Sequence, residues 1–507
     1  MPTQVDRQYN TPLYDGRRAL NIDLFDFVNV PDDRRHQLDA WLPRATIDDI
    51  QAAYATRQLS SVELVAYYID RIRRYDVDHY HSVLELNPEV FDIARQCDHE
   101  RTQAPSQSML HGIPILLKDN IGTGDRLHNT AGSKALEQSH CDRDSFIAAR
   151  LRSAGAIILG KTNLSEWANF MSFDSSNGFS VLGGQTRNAY GRFDVGGSSS
   201  GSGCAVAQSF ATVAIGTETS GSLVSPASAN GICTLKPSIG LISRDRIIPI
   251  TDKQDTAGPM ARNMTDLAHL LNGIRGVDAQ DAQTQQGAPL AETDFAAYLQ
   301  ADALDGVRLG VVRWEDPVRD DDPAMIDQAI ATLEDAGAEV VICDPFLPEF
   351  NIITLYYGLH HGVNAYLEAI GSDLTLADIV RFNAADLPNR APFGQDLLEL
   401  SANTPLNPAT AQAYEQLHQQ NHERSAAATR TALQAHDLAA LVDLNNYGTL
   451  AYAPCGFPAV CVPSGYRDSG EPVGLTFWGD YLQDAQLISY AYAYEQARNV
   501  WRPPPIP

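Results

Sequence analysis

Apolar residues recur along this chain in two rhythms. Runs of five or six, IPILL (113–117), AIILG (156–160), ATVAIG (211–216), VRLGVV (307–312), AEVVIC (338–343), LAALV (438–442), PAVCVP (458–463) and VGLTFW (473–478), read as buried strands. Between them the spacing turns helical. TIDDIQAAYATRQLSSVELVAYYIDRIRRYD (46–76) predicts two helices, the first opened by a capping box of Thr46 with Asp49 and the second capped by Ser60 or Ser61. In the second, Val65, Ile69 and Ile72 share one face, which assigns Asp70, Arg71 and Arg74 to solvent. MIDQAIATLEDAGAEVV (325–341) sets Ile326, Ile330 and Leu333 on one face and stops at Gly337, a helix feeding a strand.

This alternation predicts an α/β protein with a large sheet covered by helices. Residues 1–45 are polar and weakly periodic, an N-terminal arm lying on the body formed by 46–507. Residues 277–294 are poor in large apolar side chains and read as a surface connection. Residues 345–435 are helical and differ in composition from the rest, and a region of about 345–455 is expected to wall a pocket. Within it Tyr356, Tyr357, Phe382, Phe393 and Tyr447 suggest room for apolar or aromatic acyl groups.

Composition narrows the partners. The net charge is −26, with 63 acidic against 37 basic residues, so nucleic-acid phosphate is repelled by the average surface. No apolar run reaches the length of a membrane span and no signal-peptide core follows the N-terminus, which points to a cytoplasmic protein. The seven cysteines show no metal-ligand spacing, and neither do the 13 histidines. Only five of the basic residues are lysine, at 118, 134, 161, 236 and 253. An amine differs from guanidinium in being able to lose its proton.

GGSSSGSG (196–203) falls inside that lysine-bearing segment. A flexible linker separates bodies and has polar flanks, whereas this stretch runs into a small-residue helix, a buried strand and a second Gly/Ser turn, ETSGS (218–222). A phosphate loop would carry GK[ST] after its glycines, and none follows. Gly197 to Gly201 matches G-x-S-x-G with Ser199 as nucleophile, but RNAYGRFDV before it is too polar for the strand that a nucleophile elbow demands. Amide hydrolysis by a serine assisted by a neutral lysine is the third reading. Such a lysine must fall from about 10.4 toward roughly 7 to 8 in pKa. Lys118, directly after IPILL, would hold its amine at the end of an interior strand.

GIPILLKDN (112–120), GGSSSGSG, ETSGS and LKPSIGLIS (235–243), in this order and with 24 residues from Ser198 to Ser222, resemble the amidase signature family of Ser-Ser-Lys hydrolases. KTNLSEWANF, GGQTRNAYG, QDTAGPMAR and AYAYEQA extend the likeness over roughly 46–500, with the core signature at about 110–265. The resemblance implies a large central mixed β-sheet with helices on both faces. It implies Ser222 as nucleophile, Lys118 as base and Ser198 as relay after a cis peptide at Gly197. The oxyanion hole would be the N–H groups of Thr219, Ser220, Gly221 and Ser222. Asp119, Asn120, Gly197 and Ser199 would support these groups, and Lys134, Lys161, Lys236 and Lys253 are expected to pair carboxylates or cap carbonyls.

Two positions depart from the common GGSIR pattern, with Ser220 for a glycine and Val224 for the arginine. The second removes a cation that would anchor a carboxylate. The pattern is most similar to the bacterial peptide amidase branch, which implies a small-molecule or peptide amide substrate, no metal or organic cofactor, and a monomer or homodimer. Esters, carbamates, or ammonia supply as an amidotransferase-type subunit are the alternatives.

Overall fold

The computed structural model describes residues 3–10, 16–104, 108–314 and 318–506; positions 1–2 and 11–15 of the expected arm lie outside these. Each of the eight apolar runs forms a strand. With three more, they make one sheet of eleven: β1 (Val83–Leu86), β2 (Pro114–Lys118), β3 (Ile157–Thr162), β4 (Val213–Glu218), β5 (Cys233–Lys236), β6 (Thr256–Ala261), β7 (Arg308–Val312), β8 (Glu339–Cys343), β9 (Ala440–Leu444), β10 (Ala459–Tyr466) and β11 (Pro472–Trp478). The order is β1-β3-β2-β4-β6-β5-β10-β11-β9-β7-β8. Strands β3, β2 and β4 run parallel, as do β9, β7 and β8, and the strands between pair antiparallel. Every residue of β2 to β6 is buried, so helices cover both faces of the centre, while edge strand β8 stays largely open.

The capping box of Thr46 with Asp49 is present, and Ser60 caps the next helix by accepting from Glu63 N–H. The solvent assignment fails for two of the three charges it named. Asp70 and Arg71 are buried, because helix Asp32–Trp41 crosses this face and Asp39 meets the Arg71 guanidinium at 2.7 Å, while Gln208 O takes its other end at 2.9 Å. The described part of residues 1–45 lies on the body. Gln8 donates to Asp194 at 2.7 Å, and Phe25, Val28 and Val30 enter the main core.

Residues 277–294 are less superficial than expected. Asp278, Asp281 and Thr284 are buried, since Asp281 holds Arg244 at 2.6 Å and Asp278 accepts from Ser243 Oγ at 2.6 Å. Residues 345–435 are helical, ending in the long helix Pro408–Ala435.

Helix Ser200–Ala207, buried throughout, packs against β2, β3 and β4. Its small residues are a steric requirement. A methyl group on Gly201 would lie 2.3 Å from Asn163 O and 2.4 Å from Ser82 O. This close seat brings the Gly/Ser loop to the carboxyl ends of β2 and β4, parallel neighbours whose last residues include Lys118, Thr217 and Glu218.

Candidate active site

Lys118 is fully buried, and its amine meets four oxygens: Ser198 Oγ at 2.8 Å, Thr217 Oγ1 at 2.8 Å, Ser199 Oγ at 3.1 Å and Thr217 O at 3.2 Å. Their proton inventory restricts the roles. Thr217 O only accepts, and Ser199 already gives its proton to that carbonyl at 3.0 Å while receiving Thr217 N–H at 3.1 Å. A neutral Lys118 therefore spends its N–H groups on these acceptors and offers its lone pair to a hydroxyl, with Ser198 in reach.

Burial drives the Lys118 pKa from 10.5 down to about 7, against the pull of the Asp255 and Glu218 carboxylates. A low-dielectric seat at a strand end makes the charged form costly, while two anions keep the group within range of neutral pH. Among the described residues no carboxylate is hydrogen-bonded to the amine. It is thus poised to take and return a proton.

The Gly197–Ser198 peptide is cis, as the resemblance implied. Ser198 O accepts from Ser165 N at 3.0 Å, and Ser199 N–H donates to Ser222 O at 3.1 Å. The second bond ties the Gly/Ser loop to the ETSGS turn. Ser222 retains some exposure (8%), whereas Ser198 and Ser199 have none.

Glu218 is the buried anchor of that turn. Its carboxylate accepts from Gly221 N at 2.7 Å, Leu223 N at 2.7 Å and Val224 N at 3.1 Å. Of the four N–H groups expected to meet the oxyanion, that of Gly221 thus points at a buried carboxylate. The N–H groups of Thr219, Ser220 and Ser222 have no acceptor among the described residues. Asp255 holds the other side, accepting Thr219 Oγ1 at 2.5 Å and the N–H groups of Ile250 and Thr251 at 2.7 and 2.9 Å, while Gln254 donates to Thr219 O at 2.9 Å. Burial raises Asp255 to about 6.

The supporting residues fall around this centre. Asn120 donates to Thr217 Oγ1 at 3.0 Å and to Ile248 O at 3.3 Å, and the Asp119 carboxylate accepts the Thr130 hydroxyl. Lys161 caps Ile121 O and Lys236 caps Phe457 O, while Lys134 pairs with Glu137 and Lys253 with Glu415. Among the described residues no strand leads directly into Ser199 and its hydroxyl is fully committed, so the elbow geometry is absent there.

Of the five aromatics, Tyr447 donates its hydroxyl to Asp322 at 3.0 Å, and it is its neighbour Asn446 that lies over Gly221 of the ETSGS turn. Tyr357 reaches the site only indirectly, stacking at 4.5 Å on Tyr414, whose hydroxyl donates to Asp252 at 2.8 Å in the loop that Asp255 closes. Tyr356 packs near Phe170 and Phe393 against Phe179, and Phe382 lies under Arg390. Thr217, Glu218, Gln254 and Asp255 went unrecognised in the sequence although ETSGS and QDTAGPMAR contain three of them; nothing in the motifs says which way their side chains turn.

The model of the Amidase family matches residues 63–443. A probable amidase of Arabidopsis thaliana is 35% identical over 482 residues, 91% of this chain and 92% of its own. The crystal structure of an amidase family protein from Bacillus anthracis superposes with a TM-score of 0.92 at 35% identity, covering 97% of this chain and 99% of that one. Peptide amidase from Stenotrophomonas maltophilia follows with a TM-score of 0.86 at 39% identity, covering 91% and 99%. With a Lys-Ser pair at the sheet's carboxyl edge and this agreement along most of its length, the chain belongs to the amidase signature family.

Proposed function

We propose that this protein hydrolyses the C-terminal carboxamide of peptides, with Ser222 as nucleophile, Ser198 as relay and Lys118 as base. The observation that carries the reading is the buried Lys118 amine 2.8 Å from Ser198 Oγ, in a loop bonded to Ser222 O. Ser222 Oγ attacks the carbonyl carbon, its proton passes to Ser198, and the Ser198 proton passes to Lys118. The oxyanion is met by the N–H groups of Thr219, Ser220 and Ser222. As the C–N bond breaks, the proton returns through Ser198 to the departing nitrogen and ammonia leaves. Water then attacks the ester at Ser222, delivering a proton by the same route, and the acid is released with Ser222 restored.

The similarity to peptide amidase supports a peptide substrate over an alkyl or aryl amide. Val224, uncharged beside the nucleophile, supports an amide without a carboxylate anchor. The test is reaction with a fluorophosphonate probe and peptide mapping, followed by ammonia release from N-acylated amino-acid amides. Label on Ser222 with ammonia release is expected. Label on Ser199 overturns the nucleophile, and turnover of esters or carbamates with amides untouched overturns the substrate class. Ammonia from glutamine alone would favour an amidotransferase-type role.

A further inference from the structure

The segment after β9 reaches the nucleophile turn and carries polar groups that the mechanism above does not use. Asn446 Nδ2 lies over Gly221, where a methyl group would sit 2.7 Å from it. Beside it Ser220 Oγ and Thr449 Oγ1 face each other at 3.4 Å. All three residues are half-buried, and the Asn446 side-chain amide has no hydrogen-bond partner among the described residues. A half-buried carboxamide with no protein partner among the described residues, beside the turn that carries the nucleophile, forms an edge that a ligand can complete.

The placement is enforced. Asn445 is left-handed (φ 51°), a region that asparagine tolerates better than most residues. Three bonds fix it there. Its carboxamide oxygen accepts from Ser228 Oγ, its N–H donates to Gly474 O at 2.9 Å, and its carbonyl accepts from Thr476 Oγ1 at 2.5 Å. Ser228 belongs to helix Val224–Ala229, which starts two residues after Ser222. The conformer that aims Asn446 is therefore tied to the element that carries the nucleophile.

A side-chain carboxamide offers one acceptor and two donors, complementary to a backbone peptide unit. A plain hydrocarbon acyl group would cover Asn446, Ser220 and Thr449 without replacing the water they lose. We propose that Asn446, aided by Ser220 and Thr449, is a specificity residue that hydrogen-bonds the peptide unit preceding the scissile carboxamide. It rests on the peptide-amide reading and explains how such a substrate would be preferred over a simple amide.

The experiment compares N-acetylphenylalaninamide with 3-phenylpropanamide, which share the scissile amide and ring but differ in the acetamido group. Asn446→Ala and the size-keeping Asn446→Leu are each expected to lower kcat/KM about 10-fold for the first and less than about 3-fold for the second, the loss of one or two uncharged hydrogen bonds. Thr449→Val is expected to shift the same ratio by about 3-fold. Equal losses on both substrates, or none on either, overturn the assignment of Asn446 while leaving the amidase reading intact. Wild-type protein that hydrolyses neither amide yet labels at Ser222 overturns the substrate reading, and the proposal with it.

Discussion

The carboxylate of Glu218 receives the amide N–H of Gly221 at 2.7 Å, directly beneath the turn that carries Ser222. With Leu223 and Val224 also donating to it, one buried acceptor sets the pitch of the whole turn. Glu218→Gln puts an NH₂ group against at least one of these N–H donors. Hydrogen bonds to a charged acceptor contribute about 1.5–3 kcal/mol each, so a stability loss of about 2 kcal/mol is expected. Displaced oxyanion donors should lower kcat by about 10²-fold with KM nearly unchanged. A KM effect at constant kcat would show that the turn binds substrate and does not organise the oxyanion.

The pH profile follows from Lys118. In the proposed mechanism it acts neutral, and its pKa is brought down to about 7 by burial. Plotted as log kcat/KM, activity is expected to rise with unit slope below about pH 7 and level off above it. Glu218 and Asp255 both hold the amine up, so removing either charge should move the acid limb to lower pH. Lys118→Arg keeps a cation that cannot deprotonate and should cost at least about 10²-fold at every pH. An acid limb unmoved in Glu218→Gln would mean that it reports another group.

The same shift has a signature in stability. Unfolding restores Lys118 to its ordinary value of 10.5, so between about 7 and that value the unfolded chain binds the extra proton. Stability contributed through this residue therefore rises with pH across that window, by about 1.4 kcal/mol per unit. Below the window both states are protonated and the full burial penalty remains. Measured against Lys118→Met, wild-type protein should gain stability from pH 7 to pH 9. A flat difference would show that the amine is not depressed in the folded protein.

What the sequence made legible was what local pattern encodes. Eight apolar runs became eight strands, and Thr46, Ser60 and Gly337 marked helix ends as read. The strands that escaped, β1, β5 and β6, are four to six residues long; β6 includes Gly258 and Pro259 and β5 ends on Lys236, features that argue against a central strand. Tertiary partners override that prejudice, since Pro259 O accepts from Thr234 Oγ1 at 2.8 Å and Lys236 is met by carbonyls. Arg71 was misassigned because its partner Asp39 lies 32 positions upstream, beyond any helical period. In the site, Lys118 and Ser198 were legible from motif order. The partner of the Gly221 N–H was not, because it depends on the rotamer of Glu218.

Ser199 separates the two readings of the Gly/Ser stretch. Its hydroxyl accepts Lys118 Nζ and Thr217 N–H, both at 3.1 Å, and donates to Thr217 O at 3.0 Å. Ser199→Ala leaves Thr217 N–H buried without an acceptor, a cost of about 1–3 kcal/mol, and frees Lys118 from one of its four contacts. As a support it should lower kcat/KM by about 10-fold while the fluorophosphonate still labels Ser222. Ser198→Ala removes the proposed relay and should cost about 10²–10⁴-fold, the range of a lost proton-transfer partner. If Ser199 were an elbow nucleophile the order would reverse: Ser199→Ala would abolish labelling and Ser222→Ala would spare it. Labelling both alanine variants side by side therefore decides which serine attacks, before any substrate is known.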